Sequence, residues 1–439
     1  MQFGNLVDAE TSHDEVMERD ELMLLRAVFH VKSTRAQRKL YQTVGSAAVL
    51  DAKNNVPHSR RTYTFVVDYG QNMEMPAFNQ HQPGETYYYS PLSVYNLGVV
   101  DTAHMESSSS DPCEHMHAHV YHQGVGKKGG NNVASLLLHT MKLRGLLREG
   151  EPGAEFNCIF DNCGGQNKNT MVLRLVPYLV EMGYFKKVNF IFLVVGHTKN
   201  AADRLFNALK QIYRQTNIGT MEKLYRILDQ SKKVTVHRTT EENFLDIDAF
   251  LGLFYSDLAG LIKSNHIFSC GQSSWEGNRF MMQIRECDLP DAKSVRKNMI
   301  KTSFYKRKSF STYSDAVRAR REIMTTARRS EGKLAKLAAP GINPYTQVEL
   351  YSKFAPCLHD DDATITCPKP SERVFNIVGQ EKKDRKKLKL DLIEKKKEAV
   401  KAITEVAVKA ITDVAFGAKE EMEEGDEDFG CDGVGGEFV

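Results

Sequence analysis

Three apolar runs of this chain each lead into an acidic or densely polar segment, and this pattern restricts the fold more than any other feature. Phe156-Asn157-Cys158-Ile159-Phe160 runs into DNCGGQNKN at 161–169, and VNFIFLVV at 188–195 runs into GHTKNAADR at 196–204. A third run, YTFVVDYGQN at 63–72, ends its apolar stretch on Asp68. The runs are strand-sized, and the first two are followed by residues that read as helix starts. Strands that alternate with helices build α/β sheets, and such sheets bind ligands beyond the carboxyl ends of their strands.

The remaining segments fit around this frame. Strands are predicted at 62–68, at 86–100 with Pro91 interrupting it, and at 115–122, where apolar and polar residues alternate. A helix is predicted from Asn131–Asn132 through VASLLLHTMKL, with Val133, Leu136, Leu137 and Met141 on one face. A second helix spans 168–182, kinked by Pro177, and a third runs from Lys199 to Tyr213 with Thr198 as its N-cap. The order is β-β-β-α-β-α-β-α, that of a ribonuclease-H-like mixed α/β sheet with an antiparallel start and parallel continuation.

Four regions follow: a helical segment and linker at 1–55, the ribonuclease-H-like domain at 56–215, a mixed α+β elaboration at 216–375, and a charged tail at 376–439. The linker is SAAVLDAKNNVPHSR at 46–60, and the five prolines within 337–375 suggest an extended arm or a loose subdomain. In the tail, VKAITEVA at 400–407 recurs as VKAITDVA at 408–415, suggesting a solvated helix that passes into disorder.

Composition narrows the setting. A net charge of +3 says little, but Lys and Arg concentrate at 293–336 and 382–397. No apolar run is long enough to cross a membrane. The N-terminus lacks a signal-peptide pattern, and the 8 cysteines form no CxxC pair, so a reducing intracellular compartment is expected rather than a zinc ribbon. KKDRKK at 382–387 has the composition of a nuclear import signal.

Carboxylates at the ends of neighbouring strands are suited to divalent metal chemistry. Two Mg²⁺ or Mn²⁺ ions about 3.5–4 Å apart clamp the attacking and leaving oxygens of a phosphodiester. Asp68 and Asp161 end two strands that would be neighbours in such a sheet, and Asp203, early in the following helix, supplies a third acid. Asn162, Gly164, Gly165, Gln166 and Asn167 crowd the turn after Asp161 with exposed amides. Strand-end aspartates also cap helices and make turns, so the pattern alone does not establish a metal site.

The pair DNCGGQNKN and GHTKNAADR resembles the signature of an uncharacterised domain family found in transposable-element proteins. That family is similar to DDE-type transposases with a ribonuclease-H-like core. FVVDYGQNMEMP at 65–76, YYSPLSVYNLGVVD at 88–101 and GVGKKGGNNVASLLLH at 124–139 extend the resemblance over about 60–215. It implies metal-dependent DNA cleavage or strand transfer, with Asp68, Asp161 and Asp203 at the acidic positions and His197, Asn167 and Arg204 at the accompanying polar ones. His197 would orient water or phosphate. Asn167, Lys168, Lys199, Arg204, Lys127 and Lys128 are candidate nucleic-acid contacts, with self-association as a further expectation. The alternative is a catalytically inactive DNA- or protein-binding module that retains the fold.

Other signals remain open. His104, His115, His117, His119 and His122 lie near Cys113, either as zinc ligands or as a polar sheet face. Cys163 and His197 have the composition of a thiol–imidazole pair. The stretch at 293–336, with Lys301, Lys306, Arg307, Lys308, Arg318, Arg320, Arg321, Arg328 and Arg329, is either a nucleic-acid face or a solvated helix.

Overall fold

The structure, a computed structural model, describes residues 13–105, 111–148, 153–194, 200–276, 279–301, 313–330 and 335–423. The chain divides into two compact units, 1–369 and 370–439. The larger unit begins with helix α1 (His13–Lys53) and continues through β1 (Thr62–Tyr69), β2 (Met73–Met75), β3 (Leu92–His104), β4 (Cys113–His122) and α2 (Gly130–Leu143). Next come β5 (Glu155–Phe160), α3 (Thr170–Leu173), α4 (Leu175–Glu181), β6 (Lys187–Phe192), α5 (Ala201–Tyr213), α6 (Met221–Leu228) and β7 (Val234–Arg238). The unit ends with α7 (Ile247–Phe254), β8 (Ile267–Gly271), β9 (Trp275–Glu276), β10 (Arg279–Arg285), β11 (Ser294–Asn298), α8 (Tyr313–Ser330), α9 (Pro344–Glu349) and α10 (Asp360–Thr366).

The strands form one mixed sheet in the order β11-β10-β8-β6-β5-β1-β3-β4-β7, with β2 beside β3 and β9 beside β10. β1 runs antiparallel to β3, and β3 antiparallel to β4; β1, β5 and β6 are parallel to one another. β5 and β6 are apolar on both sides because helices cover both faces of a parallel sheet. Phe156, Cys158 and Phe160 of β5 point into a core shared with α2 and α4, while Ile159 points into the opposite core with Ala201, Leu205 and Leu209 of α5.

The helices obey local rules. Asn200 caps α5 with a capping box shared with Asp203; it stands two residues beyond Thr198, which lies outside the described residues. The helix expected at 168–182 splits at Arg174 into α3 and α4. Pro177 removes one N–H, and its ring crowds the carbonyl of Leu173, which accounts for the break.

Three expectations change. Residues 46–53 are not linker: α1 continues to Lys53, and Ala48 and Ala52 are fully buried with Ala103 of β3. Small residues allow this close approach of helix and sheet. Residues 337–369 are not an extended arm: they form α9 and α10, and Leu350 and Phe354 between these helices and Cys367 just after α10 are buried in the α5-side core. The sheet also crosses residue 215, because β7, β8, β10 and β11 extend both edges of the strands that precede it.

The smaller unit holds α11 (Glu372–Glu423), whose described side chains beyond Gln380 are exposed. The duplicated octapeptide lies within it. No helix among the described residues is long and apolar enough to cross a membrane.

Candidate functional site

The parallel register of β1 and β5 aligns Val67 with Phe160, so the residues that follow, Asp68 and Asp161, emerge side by side. Side chains alternate along strands, and Val66 and Ile159 both face the α5-side core. Asp68 and Asp161, two residues further along, therefore share that face. Asp68 carries the consequence: burial, then the neighbouring Asp161 charge and the weaker Asp203 charge, push its carboxyl up to about 7. The Asn200 amide, donating to Asp68 Oδ2 at 3.3 Å, and the Tyr69 N–H, donating to Oδ1 at 2.8 Å, oppose the shift. Asp161 is raised as well, mainly by burial, against hydrogen bonds from Asn167 and the Cys163 backbone.

The turn after Asp161 is tied to it. The backbone N–H groups of Asn167 and Lys168 both donate to the Cys163 carbonyl, at 2.8 and 2.9 Å. This folds Asn167 back so that its Nδ2 donates to Asp161 Oδ1. Asn167 is fully buried, and its Oδ1 has no hydrogen-bond partner. Lys168 lies over the Phe192 ring and donates to the Lys263 carbonyl at 3.0 Å. Burial lowers its ammonium to about 8.

Lys128 approaches from the glycine-rich turn before α2. Its Nζ lies 4.9 Å from the Tyr69 ring centre and 5.2 Å from that of Tyr95. Burial lowers its pKa, and the Asp68 and Cys163 charges oppose that shift. The GVGKKGG segment is thus a basic turn that brings a cation towards the carboxylates. Gly130 lets this turn pack against Asn169, since a Cβ there would lie 2.7 Å from Asn169 Oδ1. Lys127 is exposed, and its carbonyl accepts from the Tyr121 hydroxyl at 2.9 Å.

The other sequence candidates are dispersed. Asp203 is exposed, and its Oδ2 accepts from the Asn200 N–H at 3.0 Å as part of the helix cap. Arg204 points away, in a two-pronged pair with Glu114 at 2.7 Å. His197 and Lys199 lie outside the described residues, and with them the Cys163–His197 pairing. Among the described residues, no three His, Cys, Asp or Glu side chains converge to hold a metal ion. Asn200 escapes the sequence reading, although an asparagine immediately before AADR is a recognisable cap.

The histidines form a different structure. His115, His117 and His119 lie on the β4 face opposite the carboxylates, and His237 from β7 and His139 from α2 join them. His117 Nδ1 lies 3.0 Å from His237 Nε2; His119 and His237 stack at 4.8 Å, and His104 and His115 at 4.5 Å. His115 and His119 engage the hydroxyls of Thr235 and Thr140 at 2.8 and 2.7 Å. This is a stacked, hydrogen-bonded imidazole ladder with no metal-ligating group of three among the described residues.

The basic stretch at 293–336 is partly structural. Arg320 is 1% exposed and pairs with the fully buried Glu181, which also accepts from the Tyr255 hydroxyl at 2.6 Å. Arg321 bonds the Glu181 carbonyl, and Lys301 the Gly252 carbonyl. Lys306, Arg307 and Lys308 lie outside the described residues.

A protein-family profile described as "Domain of unknown function (DUF7869)" matches residues 110–287. The matched span contains Asp161, Asp203 and most of the histidine ladder, but not Asp68. Neither the curated proteins nor the solved structures yielded a match.

Proposed function

We propose that this chain is a transposase-like, metal-dependent protein that cleaves or transfers phosphodiester bonds in DNA on a ribonuclease-H-like core. The observation that carries the reading is the placement of Asp68 and Asp161 at neighbouring strand ends, on one face, close enough for one charge to raise the pKa of the other. Two anions held together in partly buried surroundings are costly unless a cation joins them. The strand order β4-β3-β1-β5-β6, antiparallel then parallel, with α2 and α3–α4 as crossovers, supports the core assignment.

The donors present fit Mg²⁺ or Mn²⁺. They are hard oxygens: two carboxylates and the unpartnered, buried Asn167 Oδ1 beside them. Magnesium commonly takes one or two carboxylates and keeps several waters, so a third acid is not required. When bound, the ion would lower the pKa of water and stabilise charge on a phosphate oxygen. Asp68 and Asp161 would hold it, Asn167 would fix the rotamer of Asp161, and Asn200 that of Asp68. Lys128 would bind the incoming phosphate, and Asp203 would hold the cap that positions Asn200.

The test is Asp161→Asn in a nicking and strand-transfer assay with Mn²⁺. The amide keeps the shape and removes the charge, so activity should fall at least about 100-fold while the fold persists. Wild-type protein that never cleaves, yet binds DNA equally well in EDTA, would instead indicate a non-catalytic DNA-binding module. The engagement of Asp203 and Arg204 in local pairs favours that second reading.

A further inference from the structure

A cleft of about 480 Å³ opens along α5 next to the carboxylates. Tyr69, the neighbour of Asp68, and Asp203 line its inner end, and Lys210 and Arg214 its outer end. Between them lies the half-buried Phe206 ring. The ring packs against two glycines, Gly70 just past β1 and Gly98 of β3: a Cβ on Gly70 would lie 2.9 Å from it, and one on Gly98 2.7 Å. The Phe206 ring thus supplies an aromatic part of the cleft wall.

Asn96 of β3 also lines the cleft; it is 3% exposed, and its Oδ1 has no hydrogen-bond partner. A buried acceptor without a donor is costly, by about 1–3 kcal/mol. Such a group marks a position where an external N–H is expected. An aromatic ring, an unpaired carbonyl oxygen and two cations at the outer end match the parts of a nucleotide. Glu74 and Asp203 add negative charge to the walls, which disfavours a bare anion as the occupant.

We propose that the cleft receives one unpaired nucleotide of the DNA substrate, adjacent to the phosphate addressed by Asp68 and Asp161. The base stacks on Phe206, its exocyclic amino group donates to Asn96 Oδ1, and a flanking phosphate meets Lys210 and Arg214. This site rests on the DNA-cleaving reading for its place in the reaction. It also accounts for the Asn96 Oδ1 acceptor, which has no hydrogen-bond partner within the protein. Bases bearing an amino group are preferred over thymine, which has none.

The test uses the full chain in EDTA, so that binding is read apart from cleavage. The probes are fluorescein-labelled single-stranded (dC)12, (dT)12 and a fully paired 12-base-pair duplex, followed by fluorescence anisotropy. Single-stranded (dC)12 should bind about 10-fold more tightly than the duplex, and more tightly than (dT)12. Asn96→Leu should lose the preference for (dC)12 over (dT)12, and Phe206→Leu should weaken both single strands about 10-fold. Phe206 packs on the strands, so Lys210→Gln provides a variant at the rim that leaves the core intact; it should weaken single strands several-fold. Equal affinity for duplex and single strand, or a folded Asn96→Leu that keeps the (dC)12 preference, overturns the proposal. If wild type shows these preferences but never cleaves with Mn²⁺, the catalytic reading fails and the nucleotide site stands.

Discussion

Replacing Asp68 with Asn should stabilise the metal-free protein while abolishing the proposed activity. The magnitude follows from the shift of the carboxyl from 3.8 to about 7, caused by burial and then by Asp161. Each pKa unit corresponds to about 1.36 kcal/mol, so full ionisation in the fold costs at most about 4 kcal/mol. Asp68 is half-buried, and solvent screening reduces this to about 2 kcal/mol. The amide keeps its acceptor oxygen for Asn200 and Tyr69. The sign is set by the raised pKa: the acid favours the fold when protonated, and that contribution is lost as pH rises from 3.8 towards 7. The advantage of Asp68→Asn over wild type should therefore be about 2 kcal/mol near pH 8, should shrink as pH falls below 7 towards 3.8, and should be nearly absent near pH 4. In thermal unfolding it corresponds to a rise of about 3 °C near pH 8 for a unit of this size. Millimolar Mn²⁺ should stabilise wild type and not the variant, which narrows the gap. An Asp68→Asn protein less stable than wild type near pH 8, or a gain of the same size near pH 8 and near pH 4, would refute the reasoning.

Other expectations follow from the same geometry. Burial and then the neighbouring imidazoles lower His117 to about 3, and burial with His139 and His115 lowers His237 to about 4. Depressed histidines contribute stability that is complete above the unfolded value of 6.5 and is lost as pH falls towards 3–4. Near pH 5, His117 alone should cost about 2 kcal/mol, read in urea titrations, and His117→Gln should flatten that acid limb. Glu181→Ala should destabilise the larger unit by about 3–5 kcal/mol in urea unfolding, because it removes the buried carboxylate that pairs with Arg320 and accepts from Tyr255. Limited proteolysis should remove residues beyond about 379 and leave cooperative unfolding of the remainder unchanged.

Much of the central sheet is legible in the sequence because β5 and β6 are apolar on both faces and end on sharp polar boundaries. Asp68 and Asp161 can be paired from that pattern alone, since parallel neighbours align their carboxyl ends. The edge strands are not legible. β11 reads SVRKN and β2 only MEM, segments whose strand character comes from a partner's backbone rather than from their own side chains. The imidazole ladder is half-visible: the β4 alternation reveals three rings, but His139 and His237 arrive through α2 packing and the β4–β7 register. Arg320 reads as a surface charge because its partner Glu181 is 139 residues away and becomes adjacent only when α8 packs on α4.

The sheet order sets the smallest piece of this chain that can exist as a folded body. The family match spans 110–287, but β4 and β5 within it never pair with each other. They are joined through β3 and β1, both upstream of residue 110. A fragment cut to the matched span would separate into β4–β7 and β5–β6–β8–β10, each with a raw inner edge of unpaired backbone. Such halves present the kind of surface that recruits other chains, so the fragment is expected to aggregate rather than to behave as an isolated domain.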